Sequence, residues 1–445
     1  MDGPMHIVVV GAGIAGVVTA LTLAREGATV DIVDAAPTAA AGASFANAGL
    51  VSPGHCFSWA EPGVAGAALK SLLGLGEGIS ICPPWTPSML RWATLFVREG
   101  TRDRWMANSQ AALDLATYSR NLLFGEGVVP CEAYGGRQAG ILYLYGENDQ
   151  PGPYDEALLK SAGEPFERLD RAQLLACEPL LADASVKFAR GVFCPNDGTG
   201  DAARYAAAAL EQAVRLGVRV HFGERVRGFA VKGAAVTGVE TDRGQYQADA
   251  VVVAAGLASR RLLASLDYAL PIFPVTGYSI SYHGARSSRP RVGAVSIPHK
   301  VAWASFGEET VRFTGFADIG VPGPGKVEAR FQALEAFAHG VYPEIRDATA
   351  HRWVGQRPMT PDNLPFLGAS RHANLWLNCG HGAMGWTMAC GSARVVSDLV
   401  LGRDAAIDLA PYRWDRYGRL GRRATATNGS RSRMPQPIRA RSRQP

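Results

Sequence analysis

The sequence predicts an α/β fold in two domains. One is a doubly wound, Rossmann-like domain that is discontinuous in the chain. The other is built on a mixed or antiparallel β-sheet. Three observations carry this. A complete strand–turn–helix–strand unit opens the chain at residues 5–34, and a second glycine-rich strand–turn–helix closes it at 374–401. Between them, residues 271–317 alternate aromatic and aliphatic side chains as an antiparallel sheet does. The two glycine-rich units belong to one domain, so the material between them must be inserted.

The opening segment reads MHIVVVGAGIAGVVTALTLAREGATVDIVDA. Residues 5–10 are a short apolar run, the pattern of a buried parallel strand. Gly11-Ala12-Gly13-Ile14-Ala15-Gly16 follows, and the helix it opens runs to Glu26, with Gly27 as its stop. A second strand, Thr29 to Val33, ends at Asp34, 23 positions after Gly11. A lone GxGxxG says little, but this one has the flanking strands, the helix and the acidic residue of a dinucleotide site. Gly11 permits the tight turn, Gly13 lets backbone approach a pyrophosphate, and Gly16 lets helix and strand pack closely. The helix N-terminus at Ile14 and Ala15 presents free N–H groups and a partial positive charge to phosphate. Asp34 is placed to accept hydrogen bonds from ribose hydroxyls, and its charge disfavours a 2′-phosphate.

Residues 44–63, SFANAGLVSPGHCFSWAEPG, form a long loop beside this motif. Residues 64–125 carry helical stretches around Trp85, Trp92 and Trp105, suited to core or domain-interface packing. GRQAGILYLYG, 136–146, alternates as a strand. DAARYAAAALEQAVRL, 201–216, is an alanine-rich helix with Asp201 as N-cap and Gly217 as stop, and the strand VRVHFGE comes next. Residues 226–259 hold short strands and end in a buried one, Ala250 to Ala254, before Ala255-Gly256.

In WVGQRPMTPDNLPFLG, 353–368, three prolines surround one arginine. Proline fixes its own backbone and pushes the preceding residue to an extended conformation, so Arg357 is held in place. Such an arginine either grips an anion, pairs with Asp362, or caps a carbonyl. The last unit, ANLWLNCGHGAMGWTMACGSARVVSDLVLG, is a strand, a glycine-rich turn at 380–385, and a helix to about 401.

Composition bounds the function. The chain has 445 residues, 47% hydrophobic and 19% charged, enough for two domains with cores. Seven of the positive charges are arginines in 421–445, which holds no acidic residue; without them the net charge falls from +5 to −2. The folded body is therefore near neutral, and no nucleic-acid partner is expected. The tail, 419–445, reads as disordered. Seven scattered cysteines without a CxxC or Cys/His spacing argue for reduced thiols in a cytoplasmic protein and against a metal site. No run of about 18 apolar residues spans a membrane, and the glycine turn at residue 11 leaves no room for a signal peptide.

The chain resembles the FAD-dependent D-amino acid oxidase superfamily, and within it the bacterial D-amino acid dehydrogenases. The resemblance covers roughly residues 5–418. It rests on GAGIAG with Asp34, SFANAGLVSPG, GRQAGILYLY, PNDGTGD, VVVAAG, PVTGYS, GQRPMTPDNLP and NCGHGAMGWTMACGS. It implies a two-domain flavoprotein: residues 1–54, 165–265 and 345–418 would bind FAD, and 55–164 and 266–344 would form the substrate domain. Ser44, Asn47, Ala48 and Gly49 would lie along the flavin. Val226 would meet the adenine end through its backbone, and Gly256 would let the chain pass close to the cofactor. Gly380, His381, Gly382, Met384, Gly385, Trp386 and Thr387 would form the turn beside the isoalloxazine. The helix that follows would point its N-terminus at the flavin's N1–C2=O region.

For Arg357 the resemblance implies a grip on the substrate carboxylate, two parallel hydrogen bonds that aim the Cα–H at flavin N5. Tyr278 is either a second contact to the carboxylate or amine, or a core tyrosine. His55 and His381 suggest a catalytic base, but hydride loss from a neutral amine needs none. His381 then reads as a flavin-loop residue and His55 as pocket lining. The iminium left behind hydrolyses to a 2-oxo acid and ammonia. Thr276, where many relatives have Lys, and His55-Cys56-Phe57 depart from the family's pattern at places suited to sensing substrate or acceptor. The implied partners are a D-amino acid and a quinone or other respiratory-chain acceptor, the latter requiring at least peripheral contact with the inner face of a membrane. Two alternatives stay open: an imino acid or glycine-type amine oxidase, and an NAD-dependent dehydrogenase.

Overall fold

A computed structural model of the chain describes residues 3–66, 78–152, 154–285 and 289–418. The tail expected to be disordered lies outside the described residues, apart from that boundary at 418.

The first sheet has six strands in the order Phe366–Ala369, Leu375–Cys379, Ala250–Val253, His6–Val10, Thr29–Asp34, Arg219–Phe222. All pairings are parallel except that of the edge strand Phe366–Ala369. The middle strands are continuous apolar runs because both faces are covered. Ile7, Val9, Val30, Ile32 and Val252 face a core shared with the helices Ile14–Arg25, Ala202–Arg215 and Gly385–Val400. Val8, Val10, Val33, Val251 and Val253 face a second core under the antiparallel strands Val226–Lys232, Ala235–Thr241 and Gln245–Gln247. Asp201 caps its helix as expected, accepting from the N–H groups of Ala203 and Arg204 at 2.9 and 3.0 Å.

The second sheet has nine strands. Eight follow the order Thr349–Met359, Phe273–His283, Thr310–Ile319, Val301–Phe306, Gly293–Ser296, Ile141–Tyr145, Arg190–Cys194, Glu167–Leu169, and Ile79–Ile81 pairs beside Thr310–Ile319. It is mixed: Gly293–Ser296 runs parallel to Ile141–Tyr145, and Ile79–Ile81 parallel to Thr310–Ile319. Helix Pro324–Val341 covers its far face through Phe331, Leu334 and Phe337.

Two segments sit otherwise than the sequence-based division placed them. Thr349–Met359, assigned to the nucleotide-binding part, pairs along its whole length with Phe273–His283 in the second sheet. Glu167–Leu169 and Arg190–Cys194 also pair there. Pro358 hides the strand character of Thr349–Met359 in the sequence. The strand lies at the sheet edge, and Pro358 faces Pro274, so two residues without an N–H oppose each other.

Arg312 ties the two parts together. From the second sheet its guanidinium reaches the carbonyl of Asn47 at 3.1 Å and the carboxylate of Asp201 at 2.8 Å, and its Nε donates to Ser281 Oγ.

Candidate active site

A cleft of about 1580 Å³ runs from the C-terminal ends of the parallel strands to the near face of the second sheet. It exceeds the ~300–1,000 Å³ of ordinary small-molecule pockets, so it has room for an extended dinucleotide and a second molecule.

The glycine turn forms one end. Gly11 has φ +110°, and a Cβ there would lie 2.6 Å from the Ala254 carbonyl oxygen. A Cβ on Gly16 would lie 1.9 Å from the Gly11 carbonyl oxygen, so Gly16 serves packing and does not line the cleft. Gly13 differs: a Cβ would meet nothing closer than Ser44 Oγ at 3.7 Å, and the space beside it opens to the cleft. The Ile14 N–H donates to Ser44 Oγ at 3.1 Å. Asp34 lines the cleft, but its two oxygens already accept from the backbone N–H groups of Ala12, at 2.6 Å, and Ala36, at 2.7 Å. Its carboxylate thus shapes the turn itself, and each oxygen keeps one lone pair for a ribose hydroxyl.

Ile14, Ala15, Asn47, Ala48, Gly49, Val226 and Gly256 all line the cleft. Gly256 has φ +53° and nothing within 4 Å of a Cβ, so its conformation serves a close approach from the cleft side. At the opposite wall stand His381, Gly382, Met384, Gly385, Trp386 and Thr387. Gly380, with φ +82°, lies behind them against Thr360 and does not line the cleft. Thr387 Oγ1 donates to the Leu50 carbonyl and accepts from the Ser52 N–H, both at 3.2 Å, which pins the 50–52 segment to the C-terminal helix. The N-terminus of that helix, Gly385–Val400, opens on the cleft and offers a partial positive charge there. His381 is buried, with Nε2 3.1 Å from Ser392 Oγ, and burial pushes its pKa down to about 4.

Arg357 stands where the second sheet meets the cleft. Its Nη1 donates to the Phe316 carbonyl at 2.9 Å, and its guanidinium packs on Gly277, where a Cβ would come within 2.5 Å of Nη2. Trp59 lies alongside, its ring centroid 5.9 Å from Cζ. Asp362 is held elsewhere: Arg416 binds it through two hydrogen bonds of 2.7 and 2.9 Å. One of the three sequence-based alternatives for Arg357 is therefore removed, and the carbonyl cap accounts for one N–H. Burial pushes its pKa down to about 10, which leaves it a cation at neutral pH.

Tyr278 is not at this site. It is fully buried on the far face of its strand, donates to Asp318 Oδ2 at 2.6 Å, and packs against Phe331. Thr276 points the same way and donates to the Gly320 carbonyl, so it senses nothing in the cleft. Strand alternation is the reason: Val275 and Gly277 face the cleft, Thr276 and Tyr278 the core. His55 does line the cleft, 5.2 Å from the Tyr143 ring, and its pKa is pushed down to about 4 by the surrounding protein and then by Lys300.

Sequence reasoning missed Trp59, Tyr143, Lys300 and Phe316. Tyr143 had a signal in the alternation of GILYLYG. Behind it, Tyr143 OH donates to Asp197 at 2.6 Å, and the Gly54 N–H reaches both oxygens of that carboxylate at 3.2 Å. Asp197 is almost wholly enclosed, and burial pushes its pKa up to about 7.

Residues 6–399 match the family of FAD dependent oxidoreductases known as DAO. The chain belongs to that family. Its FAD is the group for which the cleft is built: the open space beside Gly13, the helix N-termini at both walls and the free approach at Gly256 fit an extended dinucleotide. The NAD-dependent alternative is thereby corrected. Among proteins similar to this flavoprotein is a D-amino acid dehydrogenase from Rhizobium rhizogenes, 38% identical over 421 residues, 93% of this chain and 100% of that one. Another, from Cereibacter sphaeroides, is 39% identical over 424 residues, 94% and 97% of the two chains. Solved structures share the fold. Glycine oxidase from Geobacillus kaustophilus has a TM-score of 0.70 at 22% identity, covering 92% of this chain and 98% of that one. L-proline dehydrogenase from P. horikoshii has a TM-score of 0.70 at 17% identity, covering 95% and 100%.

Proposed function

We propose that this flavoprotein deaminates D-amino acids oxidatively, and that Arg357 is the residue that binds their carboxylate. The observation that carries the reading is the placement of Arg357. Its guanidinium is fixed by Phe316 and Gly277 at the cleft wall, and among the described residues no carboxylate lies within ion-pair distance of it. A planar donor fork held this way suits bidentate recognition of a carboxylate.

Bound in the cleft, FAD supplies the acceptor for a hydride. The chain's own residues do the rest. Gly13 and the N–H groups of the first helix turn receive the pyrophosphate, and the Gly385 helix end faces developing negative charge. Arg357 orients the substrate, and Trp59 closes the site beside it. His55 and His381 stay neutral at pH 7 and line the wall without taking a proton. The amino acid loses hydride from Cα, and water converts the iminium to a 2-oxo acid and ammonia.

Electrons then pass to a quinone or a similar carrier. Trp85 and Val97 support this: both are cleft-lining and exposed, and Leu90 is exposed on the same helix, Pro87–Glu99. They give an apolar rim to a lipid-soluble acceptor or a membrane surface. No helix among the described residues is long and apolar enough to cross a membrane.

The test is spectroscopic. Without oxygen, single D-amino acids should bleach the flavin absorbance while their L-forms leave it unchanged, and a soluble short-chain quinone should restore the colour. A holoenzyme that no D-amino acid bleaches would sink the reading. Bleaching by glycine or proline-like imino acids alone would replace it with an amine oxidase of that type.

A further inference from the structure

Oxidation of an amino acid at Cα needs the lone pair of an uncharged amine, yet the substrate arrives as a zwitterion. Neither histidine of the cleft is suited to take that proton. The imidazoles of His55 and His381 are weak bases where they stand, and the His381 ring is already bonded to Ser392. Asp197 is enclosed behind Tyr143, with Gly54 and Tyr143 on its oxygens, and does not line the cleft. What the cleft wall does hold, on the same sheet as Arg357, is a lysine.

It is Lys300, in the turn between Gly293–Ser296 and Val301–Phe306. Its backbone carbonyl accepts from the Phe316 N–H at 3.1 Å, and the Phe316 carbonyl accepts from Arg357. One residue, Phe316, therefore links the backbone of Lys300 to the guanidinium of Arg357. Lys300 has φ +54° and Phe316 φ +62°, conformations that non-glycine residues rarely adopt and that cluster at functional sites. The lysine stem is packed at Gly78, where a Cβ would come within 2.8 Å of Lys300 Cγ. The turn thus fixes where the stem of this side chain leaves the backbone.

We propose that the Lys300 ammonium lowers the pKa of the bound substrate's amine, so that its proton leaves to solvent and the lone pair is free when the Cα–H is given up. A nearby like charge disfavours the protonated form of an amine. Arg357 cannot serve this role, because the carboxylate it holds neutralises it. The charged groups that the Lys300 charge reaches are His55 and Glu61, from the segment that covers the cleft. His55 is neutral, and Glu61 works against Lys300. The effect of the lysine charge is already visible on both: it depresses His55 and opposes the rise that burial imposes on Glu61.

The inference rests on the amino-acid reading of the site, and its test is separable from turnover. The probe is 2-aminoisobutyrate, which has the amine and carboxylate but no Cα–H, with isobutyrate as the amine-free control. Binding of each to the oxidised holoenzyme is read from the visible flavin spectrum across pH. For wild type, 2-aminoisobutyrate binding should begin to tighten as pH rises through the pKa of its bound amine and level off only at that of the free amine. In Lys300→Met that onset should move up by about one pH unit, in Lys300→Arg it should stay, and in Glu61→Gln it should move down. Isobutyrate should show no matching movement. The same shift should appear in the acidic limb of kcat for a D-amino acid, which reports groups of the bound complex. An unmoved onset in Lys300→Met overturns the inference; if that variant does not retain FAD, an unmoved onset in Glu61→Gln does so. Should neither probe bind wild type at all, the amino-acid reading of the site has failed instead.

Discussion

The Arg357 guanidinium lies flat on the backbone of Gly277, so close that a Cβ would stand 2.5 Å from Nη2 and 2.6 Å from Cζ. Gly277 is therefore part of the carboxylate site although it offers no side chain. Gly277→Ala should push the guanidinium off its plane without disturbing the sheet, because the displaced group is the far end of a flexible side chain. We expect the KM for D-amino acids to rise at least about tenfold, a loss of roughly 1.4 kcal/mol. Flavin content and Tm should stay near wild type. Unchanged KM would show that the arginine does not act from this position.

Replacing Arg357 tests the same contact from the other side. Arg357→Lys keeps a charge but loses the planar fork, so kcat/KM should fall by on the order of 100-fold, about 2.7 kcal/mol. Arg357→Met should fall further. Steady-state kinetics with one D-amino acid decides it, and activity surviving in Arg357→Met would remove Arg357 from the site.

How much of this was legible follows a physical line. The first βαβ unit and the Gly385–Val400 helix were readable because their apolar periods, caps and glycines are local. Gly13 followed from the first unit, whereas Gly256 and His381 were assigned through the family resemblance. The face of Tyr278 was not readable. Phe273–His283 is buried along almost its whole length, so its sequence carries no polar alternation to say which parity faces the cleft. Lys300 was missed for another reason: a positive φ at a lysine leaves no trace in residue type. The edge strand Thr349–Met359 was hidden by Pro358, which is tolerated at a sheet edge and lies opposite Pro274.

The glycine turn yields a contrast within three residues. Gly16→Ala sets a Cβ 1.9 Å from the Gly11 carbonyl, so it should distort the turn and lower the Tm of the apoprotein. Gly13→Ala meets no protein atom within 3.4 Å and should leave the apoprotein Tm unchanged within error. It should still weaken FAD binding at least about tenfold, since the added methyl occupies cleft space, a cost of ~1.4 kcal/mol. Thermal melts and FAD titration of the two apoproteins separate the effects. Equal FAD affinity in Gly13→Ala and wild type would place the pyrophosphate elsewhere.

Tyr278→Phe removes the hydroxyl that donates to Asp318 Oδ2, while Ser80 and Arg330 still serve that carboxylate. No buried acceptor is orphaned, so the cost should be about 1 kcal/mol of stability. Turnover should stay within about threefold, because the ring sits beneath the sheet and not in the cleft. A large loss of kcat at unchanged stability would return Tyr278 to the catalytic machinery.

Asp197 makes a prediction about pH. Burial raises its carboxyl from 3.8 to about 7 in the folded chain. The folded state thus holds this proton more tightly than the unfolded state does. Stability from the group is complete below about pH 4 and is lost as pH rises to about 7, by at most ~4 kcal/mol over three pH units. Asp197→Asn has no proton to lose and lacks this slope. The difference in unfolding free energy between the two proteins should therefore move in favour of the variant from pH 4 to 7 and stay level above pH 8. Urea unfolding at several pH values reads it directly. Parallel curves for the two proteins would mean that Tyr143 and the Gly54 N–H hold the carboxylate ionised throughout, which would make Asp197 a fixed anion behind the substrate wall.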